Sequence, residues 1–146
     1  MAEKRDKIAE FIKLQSPETR MDLLCRAALR CYEGGETVAV HVAAEDEARV
    51  LDERMWTFND QSFMPHALAA EATEPVIEPV LIYWGEQEVG EADALIEAAG
   101  GELAQTALRY DHIVDFAEVY DHTLREVSRK RYTALREAGY RMRFIE

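Results

Sequence analysis

Short apolar segments rich in β-branched residues alternate with amphipathic helical segments, and this alternation constrains the fold more than any other feature. Such a chain places its strands side by side in a largely parallel sheet and packs its helices against the faces. We therefore predict an α/β fold, a three-layer sandwich with a mostly parallel central sheet and helices on both faces. The predicted strands are Glu10–Gln15, Thr37–Val42, Pro79–Trp84, Ala92–Ile96, His112–Phe116 and an edge strand at Tyr140–Ile145.

The helices are delimited by start and stop signals. The first begins after Ser16, with Pro17 at the first helical position, and ends at Gly34–Gly35. Between the second predicted helix, Ala44–Trp56, and the predicted strand Pro79–Trp84 lies Thr57–Glu78, a loop long enough to suggest a functional role. The other predicted helices are Ala44–Trp56, Glu102–Leu108 and Asp121–Ala138.

The 146 residues fit a single domain, in which residues 1–9 form a polar leader. No apolar run approaches the ~20 residues that cross a bilayer, and the charged start lacks the apolar segment of a secretory signal. The spacing of Cys25 and Cys31 suggests no disulfide framework, so we expect a reducing, cytoplasmic setting. A net charge of −12 argues against direct binding of nucleic acid, which needs a basic surface.

No nucleotide or metal motif accompanies this fold class. The first strand runs into Gln15-Ser16-Pro17-Glu18-Thr19, without the glycines that let backbone N–H groups approach a phosphate. The histidines show no His-x₃-His spacing, and the cysteines no Cys-x₂-Cys spacing; His41 and His112 are interpreted as core or edge residues. We therefore predict a Rossmann-like fold without a nucleotide site, without a cofactor and without a metal. A small α/β enzyme that uses His66 with Asp52 is an alternative, although no Ser or Cys nucleophile lies beside His66.

The last predicted helix carries cations around one aromatic residue. At about 100° per residue, Arg125, Arg129, Tyr132 and Arg136 form one narrow stripe. Residues 125–146 hold seven basic and three acidic side chains in an otherwise acidic chain. Such a stripe can bind a peptide that has acidic residues and a hydrophobic C-terminus; alternatively, the arginines pair with the acidic body and Tyr132 covers the core edge. The opposite face, predicted to be buried, consists of Val127, Ala134, Leu135 and Ala138.

A second feature combines aromatic residues with a methionine. Trp56, Phe58, Phe63 and Met64 fall within nine residues and precede Pro65. Such a set, at a helix end and in a loop, is either a core plug or an exposed group of anchors for a partner.

The chain resembles the chi subunit of bacterial DNA polymerase III, an accessory protein of the clamp-loader complex. The resemblance covers most of the chain from Phe11 onward, in the family's order and spacing. It rests on Leu51-Asp52-Glu53-Arg54-Met55-Trp56, Ser62-Phe63-Met64-Pro65-His66-Ala67-Leu68-Ala69, Pro79-Val80-Leu81-Ile82, Ile113-Val114-Asp115-Phe116, Ser128-Arg129-Lys130-Arg131-Tyr132 and Arg136-Glu137-Ala138-Gly139-Tyr140.

The resemblance implies a non-catalytic α/β protein that bridges the clamp loader, through the psi subunit, to the acidic C-terminal tail of single-stranded-DNA-binding protein. It implies tail binding at Arg129 and Tyr132, to which the stripe adds Arg125 and Arg136. A family lysine one position after that tyrosine is replaced here by Thr133.

The resemblance also implies an interface for psi at the tryptophan and the loop aromatic. These match Trp56 and Phe63, and the adjoining Met64 and Pro65 complete the predicted surface. In the family, a DNA-repair helicase uses the same surface and competes with psi for it. Service to such a helicase is therefore the alternative function.

Overall fold

The structure is a computed structural model that describes residues 6–59, 61–87 and 89–146. Within these ranges the strands are β1 (Ile8–Leu14), β2 (Val38–Val42), β3 (His66–Leu68), β4 (Val80–Trp84), β5 (Ala94–Glu97), β6 (His112–Glu118) and β7 (Arg141–Ile145). The α-helices are α1 (Arg20–Glu33), α2 (Glu45–Thr57) and α3 (His122–Glu137), and short 3₁₀ turns lie at Pro17–Thr19, Ala69–Glu71 and Gln105–Arg109.

The strands form one sheet in the order β3-β4-β2-β5-β6-β1-β7. Every strand pair in the described residues is parallel, as predicted for most of the sheet. Parallel strands are covered on both faces and need apolar residues at successive positions, which the Val-Ala-Val-His-Val sequence of β2 supplies.

Helices cover both faces of this sheet. α1 and α2 pack on one face, where Leu24 and Leu51 join Val40 in one core. α3 packs on the other face, where Leu135 joins Phe11 in a second core. Two cores on opposite sides of one sheet confirm the predicted three-layer α/β sandwich. No helix in the described ranges has the length and apolar character needed to cross a membrane.

The predicted leader, residues 1–9, is too long, because β1 begins at Ile8. Ile8 pairs with β6 on one side and β7 on the other, and its N–H donates to the Asp111 carbonyl at 2.8 Å. Backbone partners on both sides determine where the strand starts, and alternation of side chains does not reveal them. The first five residues of the predicted leader lie outside the described residues.

The predicted loop Thr57–Glu78 is wrong in one respect, because it contains β3. This strand pairs with Val80–Ile82 of β4 at the sheet edge. Three residues are too few to show a hydrophobic period, so the pattern could not reveal the strand. The predicted helix Glu102–Leu108 is instead the 3₁₀ turn Gln105–Arg109.

The buried face of α3 differs from the prediction. It is formed by Ser128, Arg131 and Leu135. Leu135 is the one correct member of the predicted face; Val127 and Ala134 are half-buried, and Ala138 is exposed beyond the helix end. The pattern failed because it treats every arginine as a surface residue, whereas Arg131 finds its partners inside the protein.

Candidate functional site

A buried ion pair fixes the rotation of α3 on the sheet. Arg131 Nε donates to Asp115 Oδ2 at 2.9 Å, and Nη2 donates to Oδ1 at 3.2 Å. Arg131 also donates to the carbonyl oxygens of Gly101 and Phe116. Burial raises the pKa of Asp115 to about 6, because lost hydration outweighs the attraction of the guanidinium. With Arg131 held inward, the stripe residues lie roughly 100–160° around the helix from it. The three arginines are therefore exposed, and Tyr132 lies at the edge of the core.

The four residues of the predicted stripe line one groove. Arg125, Arg129, Tyr132 and Arg136 lie between α3 and the edge formed by β1 and β7. We call this the α3 groove; its volume is about 590 Å³. Thr133, which stands where the family has a lysine, lines it as well.

Aromatic rings form the apolar part of the α3 groove. The half-buried Tyr132 packs edge-to-face on Phe11, with ring centroids 5.2 Å apart. Phe144 pairs with Phe11 in register across β1 and β7 and is 52% exposed. Sequence reasoning missed both phenylalanines, because only the pairing of β1 with β7 brings them beside the helix.

The three guanidinium groups of the groove are exposed. Arg129 donates to Glu126 at 3.1 Å on the same helix, an exposed pair worth only ~0.2–0.5 kcal/mol. Arg125 donates to the Val119 carbonyl at 2.6 Å, and Arg136 has no ion pair with a described residue. Within the described residues, Glu126 is therefore the acidic partner of the stripe, and Glu118, which also lines the groove, accepts instead from the Tyr120 hydroxyl. Guanidinium groups beside an apolar floor can bind a carboxylate and a neighbouring hydrophobic side chain together.

A second apolar surface lies at the opposite edge of the sheet. Trp56 in the last turn of α2 and Phe63 before β3 are 50% and 72% exposed, with ring centroids 5.9 Å apart. The buried His66 ring lies 4.0 Å from the Trp56 ring. His66 Nδ1 lies 2.8 Å from the Met64 carbonyl oxygen, and Nε2 lies 2.8 Å from that of Asp52. His66 is therefore a fixed support for Trp56. We call the exposed pair the Trp56–Phe63 surface.

Met64 does not belong to this surface, contrary to the prediction. It is 2% exposed and packs in the core under α1 and α2. Adjacent side chains of an extended segment point in opposite directions, so an exposed Phe63 goes with a buried Met64. Phe58 is half-buried against the same core, and Pro65 is also half-buried.

The contacts of His66 also bear on the enzyme alternative. Its side chain is fully buried, and Asp52 Oδ1 lies 3.4 Å from Nε2. A general base needs a ring nitrogen that reaches the substrate, whereas both nitrogens here face backbone carbonyls. His66 and Asp52 therefore form a structural contact.

The place where nucleotides bind in such folds is unsuited to phosphate. It is the crevice at the carboxyl ends of β2 and β5, where the chain leaves toward opposite faces of the sheet. α2 begins there with Glu45, Asp46 and Glu47. Three carboxylates in the first helical turn interact favourably with the positive end of the helix dipole, but they repel an anionic ligand.

Comparison with known proteins covers almost the whole chain. The family model described as DNA polymerase III chi subunit, HolC, matches residues 7–143. The chain belongs to the DNA polymerase III chi-subunit family. The chi subunit of Escherichia coli (strain K12) is 30% identical over 120 residues, which is 82% of this chain and 80% of that protein. The chi subunit of Pseudomonas aeruginosa is 30% identical over 124 residues (85% and 84%), and that of Haemophilus influenzae is 30% identical over 122 residues (83% of each).

The sheet sets the distance between the two surfaces of this chi-family chain. The α3 groove lies beside β1 and β7, and the Trp56–Phe63 surface lies beside β3 at the other edge. Strands β3 and β1 are five inter-strand spacings apart, or about 24 Å. One partner at each surface can therefore bind without touching the same residues.

Proposed function

We propose that this chain is a non-catalytic accessory subunit in DNA replication, which joins the clamp loader to the acidic C-terminal tail of single-stranded-DNA-binding protein. Membership of the chi family supports an accessory role, because the relatives are named as subunits of DNA polymerase III. The tail-binding part rests on one observation, the α3 groove, in which three exposed guanidinium groups border an aromatic floor.

In the proposed complex, acidic side chains and the terminal carboxylate of the tail bind Arg125 and Arg129. The last apolar side chain of the tail packs between Tyr132 and Phe144. Charge-assisted hydrogen bonds give this contact direction, and the aromatic rings select a hydrophobic end. The net charge of −12 keeps DNA away, so that contact with DNA is left to the partner.

The Trp56–Phe63 surface is proposed to hold the psi subunit of the clamp loader. Exposed aromatic side chains on a rigid support are typical anchors of protein interfaces. A DNA-repair helicase that docks on the same surface is the alternative partner and would compete with psi. Each contact can be modest, because binding at one surface raises the effective concentration at the other. The proposed setting is the cytoplasm, where the free thiols of Cys25 and Cys31 stay reduced.

Fluorescence anisotropy with a labelled peptide of the tail tests the groove. Arg129→Ala is expected to remove charge-assisted hydrogen bonds worth ~1–3 kcal/mol, which weakens binding roughly 5- to 150-fold. Lys130→Ala is the matched control, because it removes the same charge from an exposed neighbour that does not line the groove. Binding by the unaltered chain should also weaken as salt is added.

Two results would contradict the proposed tail site. The first is the absence of saturable binding by a folded chain. The second is an equal loss of affinity in Arg129→Ala and Lys130→Ala, which would mean that only the net charge of the helix matters.

A further inference from the structure

A cluster of three chemically different ligand groups lies outside both proposed partner surfaces, where α1 ends and β6 begins. Cys31 Sγ, a carboxylate oxygen of Glu36 and a ring nitrogen of His112 all lie within 4.8 Å of one another. His112 Nδ1 is 2.9 Å from Glu36 Oε2. Thiolate, imidazole and carboxylate are the ligand types that zinc takes in proteins.

The end of α1 holds two of these groups together. Gly35 has a φ of +90°, which turns the chain back after the helix. The Glu36 N–H then donates to the Cys31 carbonyl at 3.1 Å, a six-residue closure typical of helix C-termini. Glu36 is thereby placed beside Cys31 by the backbone itself.

The sheet supplies the third group and a carboxylate behind it. His112 opens β6 and pairs with Ile8 of β1, so that Glu10 is its diagonal neighbour on the same face. His112 Nε2 lies 2.5 Å from Glu10 Oε1. A carboxylate on the far nitrogen of a histidine is the usual outer support of a zinc ligand, because it fixes the ring and makes the metal-facing nitrogen more basic.

The surroundings favour a cation and allow it to enter. An opening of about 480 Å³ leads to Glu36 and His112, and five carboxylates but only two guanidinium groups line it. Glu36 and His112 are partly exposed, whereas Cys31 is buried behind them, with its Sγ within 4.8 Å of both ligand atoms. An ion can therefore reach the cluster from solvent and meet the thiol at its inner end.

We propose that Cys31, Glu36 and His112 bind a zinc-type divalent cation, with water as the fourth ligand. Tetrahedral zinc with bonds of ~2.0–2.3 Å needs ligand atoms roughly 3.3–3.8 Å apart, so side-chain shifts of about 1 Å suffice. The thiol proton and the Nδ1 proton of His112 leave to solvent on binding, while Nε2–H keeps its hydrogen bond to Glu10. The hydrogen bond between Glu36 and His112 is thereby replaced by bonds from both groups to the ion. The ion would join the end of α1 to the start of β6.

The competing explanation is that a protonated His112 ring simply bridges Glu10 and Glu36. Cobalt(II) distinguishes the two, because a bound thiolate gives a sulfur-to-cobalt charge-transfer band that carboxylates and imidazole do not give. The full chain, free of any histidine tag, is titrated with cobalt in a phosphine reductant that does not bind metal. We expect a one-to-one complex with this band, and zinc should abolish the band.

Cys31→Ser should lose the band, whereas Cys25→Ser should keep it. Cys25 is the matched control, because it is a buried free thiol on the same helix outside the cluster. Glu36→Gln, at a partly exposed position, should weaken cobalt binding while the thiol and the fold are retained. Glu10→Gln should weaken it about 10- to 100-fold through loss of the outer support.

The proposal is overturned by any of three results in folded protein, as judged by circular dichroism. The first is no charge-transfer band in the unaltered chain. The second is a band that persists in Cys31→Ser or disappears in Cys25→Ser. The third is cobalt affinity that does not change in Glu36→Gln.

Discussion

The buried pair of Arg131 and Asp115 offers a sharp test of how α3 is held. Arg131→Met keeps an unbranched side chain of similar length but removes the guanidinium. Of its hydrogen bonds within the described residues, Asp115 would then keep the one from the Phe116 N–H, at 2.6 Å. Its carboxylate would be left buried without a counter-charge, while the carbonyls of Gly101 and Phe116 would lose a donor.

Breaking a buried ion pair by removing one partner costs about 3–5 kcal/mol, because the remaining carboxyl must either stay charged without compensation or take up a proton. With an m-value of about 2 kcal/mol/M, this lowers the urea midpoint by roughly 1.5–2.5 M. Lys130→Met is the control in the same helix and should change the free energy of unfolding by less than about 0.5 kcal/mol.

A double-mutant cycle with Asp115→Asn completes the test. When both charges are removed, neither is left buried alone, so the double variant should be more stable than the sum of the single losses by at least about 1 kcal/mol. Strictly additive losses, or a cost below about 1 kcal/mol for Arg131→Met alone, would refute this account of helix placement.

Two further predictions concern other parts of the chain. Phe63→Ala should spare binding of the tail peptide but abolish pull-down of psi or the helicase; loss of both would indicate unfolding. His41 ionisation should make stability depend on pH: burial disfavours its charged ring, but the hydrogen bond and negative charge of Glu97 together with the Gly85 carbonyl outweigh burial and raise the pKa of His41. Stabilisation by this pair is therefore complete below the unfolded pKa of ~6.5 and is lost as pH rises through the higher folded pKa. Urea unfolding of His41→Gln should show a smaller decline than the unaltered chain, and the part that remains includes that of His112, whose pKa is also raised by its hydrogen bond to Glu10.

Local pattern was sufficient where a surface lies on one element. Arg125, Arg129, Tyr132 and Arg136 could be placed together from the sequence because one helix carries all four and its period is fixed. The order of strands and helices likewise indicated the layers, because alternation leaves few ways to bury both faces of a sheet. Arg131 defeated the same reasoning, since the acceptors that draw it inward lie mainly on β6 and the 100–101 turn.

Features that depend on pairing between distant segments could not be predicted. Phe144 joins the α3 groove through its register with Phe11, and no period links the two. The Cys31–Glu36–His112 cluster needs both a helix-ending turn and the placement of β6, so its spacing matches no metal motif. The sequence of one element shows which of its own side chains are neighbours, whereas strand register determines which side chains of different elements become neighbours.

The proposed bridging role also makes a quantitative prediction about the two surfaces, because the strands beside them, β3 and β1, lie about 24 Å apart. Sites farther apart than ~7–10 Å without shared partners are additive within ~0.3–0.5 kcal/mol. Tail-peptide affinity should therefore change by less than about threefold when the Trp56–Phe63 surface is saturated with psi, and Phe63→Ala and Arg129→Ala should act independently. A larger change would require an element with two arrangements that both sites influence. The chain would then be a switch, and a rigid bridge would be the wrong description of it.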